Sequence, residues 1–222
     1  MKKIITHDDA ARLIRNGQRV MVGGFGYTGF PMEMIKALHR SNVEHLTMIG
    51  SDGGIQGDPK GSFYISGKVD KLIITYTGLN PDVGKKHLDG QLDIEFVPQG
   101  TFVERIRCGG FGLGGVLTPT GVGTVVEDGK ETIERDGKKY LIEGPLKADV
   151  AIIKGAVADT FGNLIFNYAA RNYNPYMALA ADLVIAEVDS VVELGELDQN
   201  YIMLSGVFVD HIVDNRGVKG NE

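Results

Sequence analysis

Chemistry is most concentrated in Gly23-Gly24-Phe25-Gly26-Tyr27-Thr28-Gly29-Phe30-Pro31, which follows the apolar run Val20-Met21-Val22 and precedes a segment with Met34, Ile35 and Leu38 on one face. Glycine lacks a Cβ, so a loop running from a strand into a helix N-terminus can aim backbone N–H groups at a phosphate-like or carboxylate-like anion. Gly24-x-Gly26-x-x-Gly29 also satisfies the dinucleotide fingerprint, with Glu44 and Asp52 as acidic residues downstream. Three readings stay open on these residues: an anion cradle, a nicotinamide-dependent oxidoreductase, and a tight turn with no ligand.

A second glycine-rich region runs through Pro98-Gln99-Gly100-Thr101, Cys108-Gly109-Gly110-Phe111-Gly112-Leu113-Gly114-Gly115 and Thr118-Pro119-Thr120-Gly121-Val122-Gly123. Glycines there admit a ligand or another chain, or they pack closely under a neighbouring element. Gln99, at the end of one apolar run and ahead of a helix, is placed to read a carboxylate through its amide, or simply to close a loop. Cys108 has no histidine tied to it in a thiol-catalysis pattern, so a small buried hydrophobe is its expected use. The five histidines, at 7, 39, 45, 87 and 211, share no metal-ligand spacing, and no metal site is expected.

The elements that hold these residues follow an alternating pattern. Thr6-x-x-Asp9 caps a first helix with Ala10, Leu13 and Ile14 inward, ended by Asn16-Gly17. Val20-Met21-Val22, Leu46-Thr47-Met48-Ile49, Leu72 to Tyr76 and Ile94 to Val97 read as buried strands. Helices are expected from Pro31, from Asn80-Pro81 and from Thr101, whose Thr-x-x-Glu pattern ends at Glu104. Residues 116–147 depart from this rhythm and read as antiparallel hairpins, with Glu127-Asp128-Gly129-Lys130 and Asp136-Gly137 as turns. Alternation resumes with Val150 to Ile153, Leu164 to Phe166, a helix at Asn174-Pro175, and Leu183 to Ile185. The expected fold is α/β: an open, mainly parallel sheet with helices on both faces and an antiparallel hairpin excursion. A single domain over 1–214 with a flexible polar tail over 215–222 is expected.

Composition narrows the function. The 222 residues carry 23 basic and 29 acidic side chains, a net charge of −6, so no basic field exists to gather nucleic acid. With 43% hydrophobic residues the chain has enough apolar material for a core. No apolar run approaches the roughly 20 residues of a membrane span. A lone cysteine and no visible signal peptide point to a cytoplasmic protein. Glycine, 31 of 222, is about twice its usual share of roughly 7%, and since no low-complexity tract holds it, many tight backbone approaches are expected.

Val22-Gly23-Gly24-Phe25-x-x-x-Gly29-x-Pro31 resembles the first signature of family I coenzyme A transferases, in their alpha (A) subunits. The likeness continues through Val97-Pro98-Gln99-Gly100-Thr101, Glu104-Arg105-Ile106-Arg107, Leu117 to Thr124, Ala169-Ala170-Arg171-Asn172 and Asp210-His211-Ile212, almost the whole chain. Gly78-Leu79-Asn80-Pro81 and Gly112-Leu113-Gly114-Gly115 most resemble the acetate/acetoacetate branch, which handles short-chain fatty acids. The resemblance implies a fold shared with ribose-phosphate isomerases and a ping-pong transfer of coenzyme A from an acyl-CoA to a free carboxylate through a glutamyl-CoA thioester. Coenzyme A is then a substrate, and no permanently bound cofactor is expected. The family's nucleophile lies in a Ser-Glu-Asn-Gly stretch of the beta subunit, and none of the twelve glutamates here sits in one. The resemblance therefore implies no catalytic residue on this chain and an obligatory beta-subunit partner, usually in an α2β2 assembly. Gly24, Phe25, Gly26, Tyr27, Thr28, Gly29 and Phe30 would line the coenzyme A side, and Gln99 would lie near the partner's glutamate and the substrate. Ser51-Asp52-Gly53-Gly54 departs from the succinate branch, which argues against a dicarboxylate. A β-branched residue at Gly24 or Gly26 is expected to block approach of the thioester while leaving the fold.

Overall fold

The computed structural model describes residues 3–217. Strand β1 (Lys3–Ile5) leads into α1 (His7–Ala11), where Thr6 Oγ1 accepts from the Asp9 N–H at 3.1 Å, the expected N-cap. The helix stops after five residues, so helical spacing does not reach Leu13, which is exposed while Ala10 and Ile14 are buried. β2 (Arg19–Val22) feeds the glycine loop and then α2 (Met32–Arg40), whose Met34, Ile35, Ala37 and Leu38 are buried. β3 (Leu46–Ile49), α3 (Pro59–Tyr64), β4 (Val69–Ile74), α4 (Pro81–Leu88), β5 (Asp93–Phe96) and α5 (Gln99–Gly110) follow.

The excursion is a three-stranded antiparallel sheet of β6 (Val116–Thr118), β7 (Thr132–Arg135) and β8 (Lys138–Glu143), with β8 in the middle. Asp136 and Gly137 turn β7 into β8 with φ of 51° and 69°, the left-handed pair that a tight two-residue hairpin requires. Thr124-Val125-Val126 belongs to no strand; Thr124 caps a short 3-10 turn over Val125–Glu127 instead. The chain then returns as β9 (Ala148–Asp159), β10 (Leu164–Ile165), α6 (Asn174–Leu179), β11 (Ala181–Val192) and β12 (His211–Asp214).

The main sheet runs in the order β1-β12-β11-β9-β2-β3-β4-β5, every neighbouring pair parallel, with β10 antiparallel on β9. Successive strand residues point to opposite faces, and the core divides accordingly. Val20, Val22, Leu72, Ile74 and Ile152 pack on one side with α2 and α3, while Met21, Ile73, Ala151 and Ile153 pack on the other with Phe102 and Ile106 of α5 and Met177 of α6. Both faces of the sheet are thus covered, which is why its strands read as continuous apolar runs.

From β2 the chain steps outward to β5, then crosses back to β9 and steps outward to β12. The carboxyl ends of β2 and β9 therefore mark the topological switch point, where open parallel sheets form their ligand crevice. Two helix starts differ from expectation. α5 begins at Gln99 behind Pro98, and Thr101 lies buried within its first turn with Oγ1 unpaired, because Pro98 already sets the entry angle. Asn80 precedes α4 but makes no side-chain cap; its Nδ2 donates to the Gly53 carbonyl at 3.0 Å. Of the expected tail, Asn215–Gly217 form a 3-10 turn, with Asn215 bonded to His7 and Glu187, and 218–222 lie outside the described residues. Among the described residues no helix is long and apolar enough to cross a membrane.

Candidate functional site

The glycine loop is a tight hairpin. Phe25 and Thr28 exchange N–H to carbonyl bonds at 3.0 and 3.1 Å, leaving Gly26 and Tyr27 at the tip. Gly24, Gly26 and Gly29 adopt φ of +102°, +58° and +69°, which side-chain-bearing residues rarely accept. Their surroundings differ. A Cβ on Gly24 would lie 2.8 Å from Phe30 Cα, and one on Gly29 2.3 Å from the Ala170 carbonyl oxygen, whereas Gly26 faces open space. A bulky residue at Gly24 would therefore displace the loop itself as well as narrow the approach to it.

Asp52, three residues beyond β3, braces the hairpin tip. Its Oδ2 accepts from the Gly26 N–H at 3.2 Å and from Ser51 Oγ, and its Oδ1 accepts from the Gly54 N–H at 2.9 Å and from Lys60 Nζ at 2.7 Å. Lys60 is 1% exposed, and its ammonium also lies 4.5 Å from the centroid of the Phe30 ring. Burial pushes the Asp52 carboxyl up, but the charge and hydrogen bond of Lys60, with those from Ser51 and Gly54, outweigh it and hold the carboxyl below its ordinary range. Burial lowers the Lys60 ammonium, and Asp52 opposes that shift only in part. In the sequence Asp52 stands out as a fingerprint acid and within Ser51-Asp52-Gly53-Gly54, and Lys60 not at all. The one local signal is Asp58-Pro59, the N-cap of α3, where Asp58 accepts from the Gly61 N–H.

The N-terminus of α2 is already occupied. Glu187 of β11, 1% exposed, accepts from the Met34 N–H at 2.8 Å through Oε2, and its Oε1 takes Asn215 Nδ2 at 3.0 Å with Lys154 Nζ 3.5 Å away. A carboxylate from this chain thus fills the position where a dinucleotide's pyrophosphate would bind, and two anions there would repel. The nicotinamide reading loses its anchor for that reason.

A cavity of about 470 Å³ opens at the carboxyl ends of β2, β3, β4 and β5. Phe25, Gly26 and Tyr27 of the hairpin form one wall, and the rest of the lining comes from Ser51, Asp52 and Ile55 after β3, Thr75, Tyr76 and Leu79 after β4, and Gln99 at the start of α5. Of the expected residues, Phe25, Gly26, Tyr27 and Gln99 come together here. Gly24, Thr28, Gly29 and Phe30 lie behind this wall, Phe30 buried under the Lys60 ammonium. Gln99 occupies the first turn of α5, beside Tyr173. The Tyr173 ring packs edge-on against Phe102 at 5.6 Å and tilts against Phe25 at 6.4 Å. Burial raises the Tyr173 phenol; Gln99 is near enough to oppose that shift, although the buried hydroxyl makes no formed hydrogen bond.

The second glycine region divides between close packing, at Gly109, Gly110, Gly115 and Gly121, and open space, at Gly100, Gly112, Gly114 and Gly123. Cβ atoms on Gly109, Gly110 and Gly115 would fall 2.2 Å from the Leu146 carbonyl oxygen, 2.8 Å from Leu179 Cβ and 2.6 Å from the Glu143 carbonyl oxygen. Cys108 is buried beside them. A larger groove of about 540 Å³, lined by Asp8, Arg12, Asn16 and Arg40 among others, adjoins segments that enter β2 and β3, at the opposite end of those strands. Its charges are satisfied locally, Arg40 by Asp8 and Arg12 by Asp9.

Residues 4–215 match the family model described as coenzyme A transferase. The alpha subunit of the acetate CoA-transferase of Escherichia coli K12 is 47% identical over 211 residues, 95% of this chain and 96% of that protein. The A-type subunit of a succinyl-CoA:3-ketoacid coenzyme A transferase from Xanthomonas campestris pv. campestris (strain B100) is 46% identical over 205 residues, covering 92% and 85%. The alpha subunit of the acetoacetyl-CoA:acetate/butyrate CoA transferase of Clostridium acetobutylicum is 44% identical over 211 residues, covering 95% and 97%. Among solved structures, an acyl-CoA transferase from E. coli O157:H7, in a thioester complex with CoA, superposes with a TM-score of 0.87 at 20% identity. This chain aligns over 96% of its own length and spans about half, 47%, of that protein. The family match over almost the whole chain, with relatives more than 40% identical at near-full coverage, shows that the chain belongs to the coenzyme A transferase family, as one of its alpha-type (A) subunits.

Proposed function

We propose that this chain forms half of the active site of a two-subunit CoA-transferase that moves coenzyme A between a short-chain acyl-CoA and a free monocarboxylate. The observation that carries this reading is the cavity itself: apolar walls, the Gln99 amide, the hydroxyls of Tyr27, Ser51, Thr75 and Tyr76, an Asp52 neutralised by Lys60, and no glutamate among its lining residues. The nucleophile is supplied by a beta subunit, whose glutamate carboxylate attacks the thioester carbonyl. That step forms a mixed anhydride and expels CoA thiolate, which then attacks the glutamyl carbonyl, giving glutamyl-CoA and releasing the first acid as a carboxylate. A second carboxylate reverses the sequence, so one thioester replaces another and no outside energy source is needed.

This chain's part is positioning and electrostatics. The Gln99 amide donates toward the oxygen on which charge develops, in a site whose apolar surroundings strengthen that hydrogen bond. Gly26 leaves the hairpin edge free of side chain where the pantetheine arm passes. Phe25, Ile55, Tyr76 and Leu79 enclose a short acyl chain, and the lining offers a distal carboxylate no free cation, since Lys60 is already paired with Asp52, which favours acetate, acetoacetate or butyrate over succinate. The reading includes an α2β2 assembly in the cytoplasm, with coenzyme A as substrate.

Co-expression with a beta subunit tests it. The complex is expected to exchange CoA between acetoacetyl-CoA or butyryl-CoA and acetate. Mass spectrometry after incubation with acyl-CoA is expected to find a hydroxylamine-sensitive adduct only on the beta subunit. An adduct on this chain, or an inactive complex with an intact partner, would refute the reading.

A further inference from the structure

β2 and β9 pair in parallel as far as Val22 and Ile152, and the Gly23 N–H still reaches the Ile152 carbonyl at 2.9 Å. There β2 leaves the sheet as the glycine hairpin while β9 continues to Asp159, so the N–H of Lys154 is deprived of a carbonyl that a continuing β2 would offer. Asn174, the first residue of α6 and fully buried, fills the gap. Its Oδ1 accepts from the Lys154 N–H at 2.9 Å, and its Nδ2 donates to the Gly29 carbonyl at 3.0 Å and the Ala170 carbonyl at 2.8 Å. It also explains Gly23, where a Cβ would lie 1.8 Å from Asn174 Oδ1.

We infer that the Asn174 side-chain amide stands in for a peptide group where β2 leaves the sheet, and is a positioning residue that sets the height of the glycine hairpin over the cavity. The hairpin is then held at three points: Asp52 grips the Gly26 N–H at the tip, Asn172 Nδ2 donates to the Thr28 carbonyl at 2.9 Å, and Asn174 grips the Gly29 carbonyl at the base. Only a short primary amide meets both demands. Aspartate has no donors and would set an oxygen against two carbonyls, glutamine is one methylene too long for the space beside Gly23, and an apolar residue would leave three half-buried backbone groups without these bonds.

The catalytic consequence rests on the CoA transfer proposed above; the structural role does not. The test uses Asn174→Asp and the pair Gly23→Ala/Asn174→Gly, which returns a methyl to part of the vacated volume without restoring the bonds. Transfer kinetics are read in the complex with the beta subunit, and amide hydrogen exchange over Gly24 to Phe30 in the full chain. Both variants are expected to lose kcat on the order of 10²-fold with KM for acyl-CoA nearly unchanged, since a displacement of about 1 Å has that effect. Exchange in the hairpin is expected to quicken while β9 and β11 keep their protection. Recovery of wild-type kcat and hairpin protection in the double variant would mean that Asn174 only fills space and would overturn the inference. So would wild-type exchange in Asn174→Asp. If that variant does not fold, Asn174→Ser carries the same expectations. If the wild-type complex transfers no CoA, the functional reading fails while the exchange data still decide the role of Asn174.

Discussion

Lys60 and Asp52 lie 2.7 Å apart, with the lysine side chain only 2% exposed, and the geometry of the hairpin tip depends on that pair. Removing one member of a buried pair leaves the other charged and unsolvated, so Lys60→Met is expected to destabilise the chain by about 3–5 kcal/mol, read as the shift in urea unfolding. Asp52→Asn/Lys60→Met is expected to recover much of that loss. An unchanged midpoint in Lys60→Met would remove the pair from the forces that hold the loop. The pH dependence follows from the depressed Asp52 carboxyl. Its folded value lies below the ordinary 3.8, so the stabilisation is present above that value and disappears as pH falls through the folded value. The stability difference between the wild type and the double variant is therefore expected to shrink below about pH 4. The depressed Lys60 ammonium has the opposite sign: its burial cost is relieved only as pH climbs toward 10.5.

Secondary-structure elements sort the glycines by task. Gly109, inside α5, abuts the Leu146 carbonyl, and the same stretch is tied by the Leu146 N–H to the Arg105 carbonyl and by Arg105 Nε to the Gly144 carbonyl. Gly109→Ala is expected to cost about 1–3 kcal/mol because backbone, not a flexible side-chain end, is in the way. Gly114→Ala, in open space with no left-handed φ, is expected to stay within about 0.5 kcal/mol of wild type. Equal midpoints for the two variants in denaturant would contradict this division. Elements with strong apolar runs, β2, β3 and β4, were legible because both faces of a parallel strand are buried. α3 was not: Pro59-Lys60-Gly61-Ser62-Phe63-Tyr64 has no helical periodicity, and tertiary contacts of Phe63 and Tyr64 with the core hold it in place.

At the scale of the whole molecule, the cavity mouth is unusually apolar for a surface. Phe25, Tyr76 and Leu79 are each more than half exposed around it, and exposed apolar clusters of this kind mark contact with another protein. Leu79→Glu is expected to weaken beta-subunit association about tenfold or more, on the order of 1.4 kcal/mol, while leaving the thermal midpoint of the isolated chain unchanged. Size-exclusion chromatography with light scattering across a dilution series reads the first quantity and calorimetry the second. Undiminished association would place the partner on another face.

The resemblance of its motifs pointed to the family, and residue type and spacing determined the alternating α/β order, the hairpin excursion with its Asp136-Gly137 turn, and the glycine loop after β2, because apolar runs, caps and glycines act over a few neighbouring residues. Other features were decided only in three dimensions. Glu187 closes the α2 N-terminus from 153 residues away, Asn174 reaches Gly29 across 145, and Lys60 is driven into the interior against Asp52. Such contacts join side chains from separate strands and helices, and no local pattern encodes which buried charge or amide will meet which backbone group once the sheet has assembled.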